Sequence, residues 1–109
     1  MDYILSDIVE KSETLSQIHK NNLKVGDTII LKTANSVYLI KVQEQEQYTV
    51  SGGWFDKNNL SPTTIAINGC TWGGSIIKND IVASCGLHLE FGNKVVTSKI
   101  KKIFHIPSN

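Results

Sequence analysis

Residues 26–53 read GDTIILKTANSVYLIKVQEQEQYTVSGG, and their rhythm decides the fold. After the Gly26-Asp27 turn the apolar residues fall at period two, the signature of half-buried strands. In Thr28–Lys32, Ile29 and Leu31 share one side. In Ser36–Gln43, Tyr38, Ile40 and Val42 share one face, and Val37, Leu39 and Lys41 the other. The connection Thr33-Ala34-Asn35-Ser36 is short enough for a hairpin. The polar run Gln43–Gln47 ends the second strand. Tyr48–Ser51 forms a third, stopped by Gly52-Gly53.

The pattern continues towards the C-terminus. Residues 54–62 have irregular, turn-forming composition, and Thr63–Asn68 reads as a fourth strand. Asn68-Gly69 and Gly73-Gly74 bracket Cys70-Thr71-Trp72. Ile81–Ser84 is a further strand, and Cys85-Gly86 marks a bend. Leu87, Leu89 and Phe91 alternate with His88 and Glu90, which are expected to face out. Gly92-Asn93 signals a two-residue primed hairpin turn, returning through Lys94–Ile100 with Val96, Ser98 and Ile100 on one face. A bulge is expected near Lys101-Lys102, because Ile103, Phe104 and Ile106 fall out of register. Upstream, Ile4, Ile8, Leu15 and Ile18 lie on one helical stripe within residues 2–20. The segment 1–22 is therefore expected to be a helix that lids the domain, or an arm that packs on a partner chain.

These elements predict one all-β domain over 1–109, a small antiparallel barrel or roll of six or seven strands spanning 25–106, with an N-terminal helix. Closure into a barrel is expected because so small a sheet needs its edges protected.

Composition narrows the function. All 11 basic residues are Lys and stand against 10 acidic ones, so net charge points to no polyanionic partner. Without Arg the chain lacks the planar fork suited to guanine or bidentate phosphate recognition. The start, MDYILSDIVEK, has an acid at position 2 and no basic region, unlike a secretory signal. No apolar run approaches membrane-spanning length. The expectation is a cytoplasmic protein with free thiols, no membrane association and no cofactor, with signal-independent export left open.

The candidate sites are weighed against plain structural roles. Gly69, Gly73 and Gly74, with the hydroxyls of Thr71 and Ser75, could form an anion nest. No helix pattern follows, as a nucleotide loop requires, so a tight glycine corner is the simpler reading. Cys70, Cys85 and His88 supply three ligand types for zinc but no fourth and no CxxC pair; no metal site is expected. A Cys85–His88 nucleophile pair is disfavoured, because residues three apart on a strand face opposite ways. Lys94, Lys99, Lys101 and Lys102, with loop aromatics, could serve a nucleic-acid-binding barrel, yet lysines also guard exposed sheet edges.

Five blocks carry a resemblance: Thr33-x-Asn35-Ser36-x-Tyr38; Ser51-Gly52-Gly53-x-Phe55; Gly69–Ser75 with Lys78; Gly86-x-x-x-Glu90-Phe91; and Thr97-Ser98. Together they resemble a group of small bacterial β proteins with no assigned activity. The resemblance covers most of the chain after residue 24 and implies a small β fold in a bacterium. Cys70 stands where that group suggests Ser, which weakens a metal or thiol role for it. Asn35, Ser36, Ser75, Thr97 and Ser98 are expected to satisfy backbone groups at corners, with convergence on a pocket as the alternative.

The expected function is a non-enzymatic binding module, engaging a protein partner or itself through Gly52, Gly53, Trp54 and Phe55 and through Thr71, Trp72, Gly73, Gly74 and Ser75. A nucleic-acid-binding barrel is the alternative. A small-ligand sensor or hydrolase joining Cys85, His88 and Ser75 is the third.

Overall fold

The computed structural model describes residues 13–72 and 77–108. The alternating stretch forms β3 (Thr28–Thr33), β4 (Val37–Val42) and β5 (Tyr48–Gly52) as a meander. β6 (Thr63–Ile65) extends it on one side. On the other, β11 (Ile100–Ile106) pairs with β3 and β1 (Glu13–Leu15) pairs with β11. The result is a six-stranded antiparallel sheet in the order β1-β11-β3-β4-β5-β6. A second sheet has the order β10-β7-β8, from β7 (Ile67–Thr71), β8 (Ile77–Lys78) and β10 (His88–Phe91). A third pairs β2 (Gln17–His19) with β9 (Ile81–Ser84).

The sheets do not close into the expected barrel, because β1 and β6 end the large sheet without pairing to each other. Their edges are short rather than sealed, at three residues each, one of the ways proteins blunt edge pairing. The expected N-terminal helix is also corrected where the chain is described. Residues 13–19 form β1 and β2, and their apolar Leu15 and Ile18 meet the core from extended backbone. Lys20–Asn22 make a single 3-10 turn, and the rest of that prediction, residues 1–12, lies outside the described residues.

One apolar cluster joins the three sheets. The large sheet contributes Ile29, Leu31, Tyr38, Ile40 and Val50; the smaller ones contribute Ile18, Ile67, Val82, Leu89 and Phe91. Each fully buried Ile, Leu or Phe contributes about 1.5–3 kcal/mol. The aromatic centre is Phe55, with its ring 5.0 Å from that of Phe91 and 6.3 Å from that of Tyr38, both edge-on.

The stretch 63–68, read as one strand, divides at Ala66. Ile65 pairs with Tyr48 in the large sheet and Ile67 with Phe91 in the small one. The Ala66 carbonyl accepts from the Gly92 amide at 2.8 Å at the crossing. The turn after β10 is not of the primed kind: left-handed φ falls on Lys94 (73°) instead of on Gly92-Asn93. Lys94 N–H donates to Phe91 O and Phe91 N–H to Val95 O, as in a three-residue loop. The return through 94–99 makes one bridge, Glu90 to Val96, beside the bond from Thr97 N–H to Leu89 O; Val96 is exposed and Ile100 buried, so the two do not share a face as expected, and Thr97 is buried. Glu90 faces inward and accepts from Asn68 Nδ2 at 2.7 Å.

Candidate functional site

Three distant pieces of sequence meet at one corner: the β3–β4 turn, the start of the short helix α1 (Gly53–Lys57), and the return loop through Ser98. The turn is built by hydroxyls. Thr33 N–H donates to Ser36 O at 2.8 Å, and Ser36 N–H donates to Thr33 Oγ1 at 3.1 Å. Ser98 Oγ donates to Thr33 Oγ1 at 2.7 Å and accepts from Asn35 N–H at 3.1 Å. Ala34 N–H closes on Lys99 O at 2.8 Å. Of the side chains expected to satisfy backbone groups, Ser98 does so here and Thr97 does so at Leu89 N–H; Asn35 and Ser36 take part through backbone atoms, and with Ser98 they line a cleft.

The glycines bring α1 against the same corner. Gly52 has φ +96°, and a Cβ there would lie 2.2 Å from Val37 O. Gly53 has φ +46°, and its Cβ would lie 2.3 Å from the Tyr38 ring. Only glycine tolerates both the backbone conformation and the approach. Gly52 N–H is held by Asp56 Oδ1 and Ser61 Oγ. The helix is missed by the sequence reading because its turn-rich residues Asp56-Lys57-Asn58-Asn59 hide a single helical turn anchored by Phe55. Phe55 is fully buried, so it supports the loop from beneath. Trp54 is half-buried, with its ring 5.3 Å from that of Phe55, and its backbone N–H donates to Tyr38 Oη at 3.3 Å.

The open cleft between them has a volume of about 240 Å³ and is lined by Asn35, Ser36, Tyr38, Trp54, Lys57, Val96 and Ser98. Its lining carries an indole, an exposed valine, hydroxyls, an amide and one ammonium. It has no carboxylate, imidazole or thiol, the groups from which general bases and metal ligands are mostly drawn.

The second expected loop lies elsewhere. Thr71 ends β7 and is buried, whereas Trp72 is 61% exposed beside β8, whose Ile77 is 41% exposed. Gly73, Gly74 and Ser75 lie outside the described residues. Gly69 sits inside β7, where a Cβ would approach Lys78 O to 2.4 Å; its glycine serves strand packing.

The thiols and His88 are not brought together as a reactive group. Cys70 is fully buried with Sγ 3.5 Å from Val82 O. Burial pushes its thiol up to about 11, against smaller opposing effects from the Ser84 backbone and the Lys78 charge. Cys85 is exposed and directs Sγ at Leu15 O and Lys101 O. His88 Nδ1 lies 2.8 Å from Thr97 O. Among the described residues no three His, Cys, Asp or Glu side chains are grouped for a metal ion. Lys94, Lys99, Lys101 and Lys102 are all exposed, and Lys102 stands opposite Lys32 across β11 and β3.

One polar centre was not anticipated. Asp27 is 2% exposed and accepts from Ser108 N–H (2.8 Å), His105 Nε2 (2.9 Å) and Lys24 N–H (3.1 Å). Burial alone would raise its pKa, but these hydrogen bonds outweigh that and hold it at about 2. The centre ties the end of the chain to the start of β3, and only the Gly26-Asp27 turn hinted at it. Two wider clefts share Lys20, Asn21 and Glu46, with volumes of about 320 and 420 Å³. The first is lined by Leu23, Val25, Val42 and Tyr48 as well as polar side chains and the second by polar and charged side chains, and neither includes a block singled out in the sequence.

No family model matches the chain, and no curated protein or solved structure matches it either. Among the described residues no helix is long and apolar enough to cross a membrane.

Proposed function

We propose that the chain is a non-enzymatic binding module that recognises a protein partner, or a second copy of itself, through the Trp54 corner. The observation that carries this reading is the convergence of Asn35-Ser36, Gly52–Lys57 and Val96–Ser98 on one cleft. The size of that cleft favours a polypeptide side chain over a free metabolite: about 240 Å³ falls below the roughly 300–1,000 Å³ of small-molecule sites. A half-buried indole beside an exposed valine, rimmed by hydrogen-bonding groups, is the chemistry of an interface anchor point. Its backbone is held by glycine packing and hydroxyl bonds, so little ordering cost falls on binding. Exposed Trp72 and Ile77 offer a second apolar contact on the smaller sheet.

The nucleic-acid reading has less support. Of the loop aromatics Trp54, Phe55 and Trp72 that could stack bases, Phe55 is in the core, and the cleft that Trp54 lines contains none of Lys94, Lys99, Lys101 or Lys102.

Peptide-display selection against the full chain tests the proposal, together with light scattering over a range of concentrations. Selected peptides, or self-association, should be lost in Val96→Glu while the fold is retained by circular dichroism. Binders indifferent to Val96→Glu, or neither binders nor association, would overturn it.

A further inference from the structure

The core occupies one face of the large sheet, and the other face carries a cleft of its own. Strand register puts Ile106 of β11, Thr28 of β3, Lys41 of β4 and Thr49 of β5 in one row, through the pairings Ile106↔Thr28, Thr28↔Lys41 and Lys41↔Thr49. Leu39 and Ser51 face each other in the adjacent row on the same side. With Pro62, just before β6, these residues line an open cleft of about 450 Å³. It crosses four strands, a span of about 14 Å at roughly 4.8 Å per step.

Three features of the cleft point to one ligand chemistry. Its walls offer apolar surface to solvent: Leu39 is 45% exposed, Pro62 is exposed and Ile106 half-buried. Its lining holds a single charge, the Lys41 ammonium, with hydroxyls beside it and no carboxylate or imidazole. Thr49 Oγ1 is engaged by Gln43 Nε2 at 3.1 Å and Thr64 Oγ1 at 3.2 Å, which leaves Thr28 and Ser51 as the hydroxyl donors nearest Lys41. The wider face has the same sign. Lys32 and Lys102 stand opposite each other on it, and among the described residues no acid shares it. The third feature is size. About 450 Å³ falls within the roughly 300–1,000 Å³ of small-molecule sites, as the Trp54 corner does not.

We propose that this cleft binds a small amphiphilic carboxylate, an aliphatic acid of medium chain length. Its carboxylate sits on Lys41, whose flexible stem and compact charge suit a single anionic group. The Thr28 hydroxyl, directly opposite Lys41, donates to the same carboxylate. The tail lies along Leu39, Pro62 and Ile106 and removes their apolar surface from water. The cleft shares no lining residue with the Trp54 corner, so the acid and a protein partner do not compete for one surface.

The test titrates decanoate, kept below its micelle-forming concentration, into the isotope-enriched full chain. Saturable shifts are expected at the Leu39 methyls and the Thr28, Lys41 and Ser51 amides, with the Trp54 indole unmoved. Octanoate, two methylenes shorter, should bind roughly fifteen-fold more weakly, at about fourfold per methylene. Decanol in place of decanoate, or Lys41→Gln in the protein, should each lose at least about tenfold, the worth of a hydrogen bond to a charged group. Lys41 is exposed, so the substitution keeps the fold. No saturable shift at the cleft would overturn the proposal, and so would equal affinity for decanoate and decanol or for wild type and Lys41→Gln. Attachment to phosphatidylglycerol vesicles without any response to soluble decanoate would overturn it in favour of a lipid surface.

Discussion

Replacing Asp27 by Asn should reveal how firmly the C-terminal end is tied to the sheet. The carboxylate is buried and ionised because three donors point at it. Its folded pKa of about 2 lies below the ordinary 3.8. At about 1.4 kcal/mol per unit, that gap corresponds to roughly 2 kcal/mol of stability. The sign follows from linkage: a depressed acid stabilises the fold above its unfolded pKa, and the contribution is lost as pH falls through the folded value. Wild type should therefore exceed Asp27→Asn by roughly 2 kcal/mol near neutral pH, since the amide cannot reproduce a charged acceptor for three donors. The difference should shrink from about pH 4 downward and be largely gone below about pH 2. Urea denaturation of both proteins across that range measures it, and every other carboxylate cancels in the comparison. A difference that stays constant with pH would refute the assignment of the ionised centre to Asp27.

Three further predictions follow from the corner and the core. Gly52→Ala and Gly53→Ala should each cost more than about 2 kcal/mol, through strained φ plus a clash with Val37 O or the Tyr38 ring. Gly86→Ala has the same φ problem at +90° but no atom within 4 Å, so equilibrium denaturation should show about 1 kcal/mol for it. Phe55→Ala should cost about 3–5 kcal/mol in the same assay, because Phe55 fills the aromatic centre. A thiol reagent should modify Cys85 quickly in the native protein and Cys70 only after unfolding, given its burial and a thiol pushed to about 11; equal rates would contradict the burial of Cys70.

The meander was readable because Ile29, Leu31, Tyr38, Ile40 and Val50 alternate cleanly, and a strand with one buried face leaves no second register. The bulge at Lys101-Lys102 was readable for the same reason, since the apolar residues beyond it change face. Strand pairing between distant segments was not. Nothing local in Ile65-Ala66-Ile67 says that the chain changes sheet there. Residues 13–19 carry helix-compatible spacing, yet pairing with β11 and β9 decided their conformation. Glu90 is buried rather than facing out because Asn68 Nδ2 bonds its carboxylate, and Thr97 is drawn in because its Oγ1 accepts from Leu89 N–H where the ladder is reduced to one bridge. Of the corner, Gly52-Gly53 and the hydroxyl-rich turn were visible as separate blocks. Their meeting with Ser98 depends on a contact some 65 residues apart, beyond any periodic signal. Asp27 escaped notice because its partners, His105 and Ser108, lie at the far end of the chain.

The claim that the Trp54 corner is the recognition surface is tested most directly by mapping fragment and short-peptide binding onto assigned amide and indole signals of the full chain. The account predicts that hits perturb the Trp54 indole together with the amides of Asn35, Ser36, Val96 and Ser98. Hits clustering instead around Lys20 and Glu46, or along Lys99–Lys102, would contradict it.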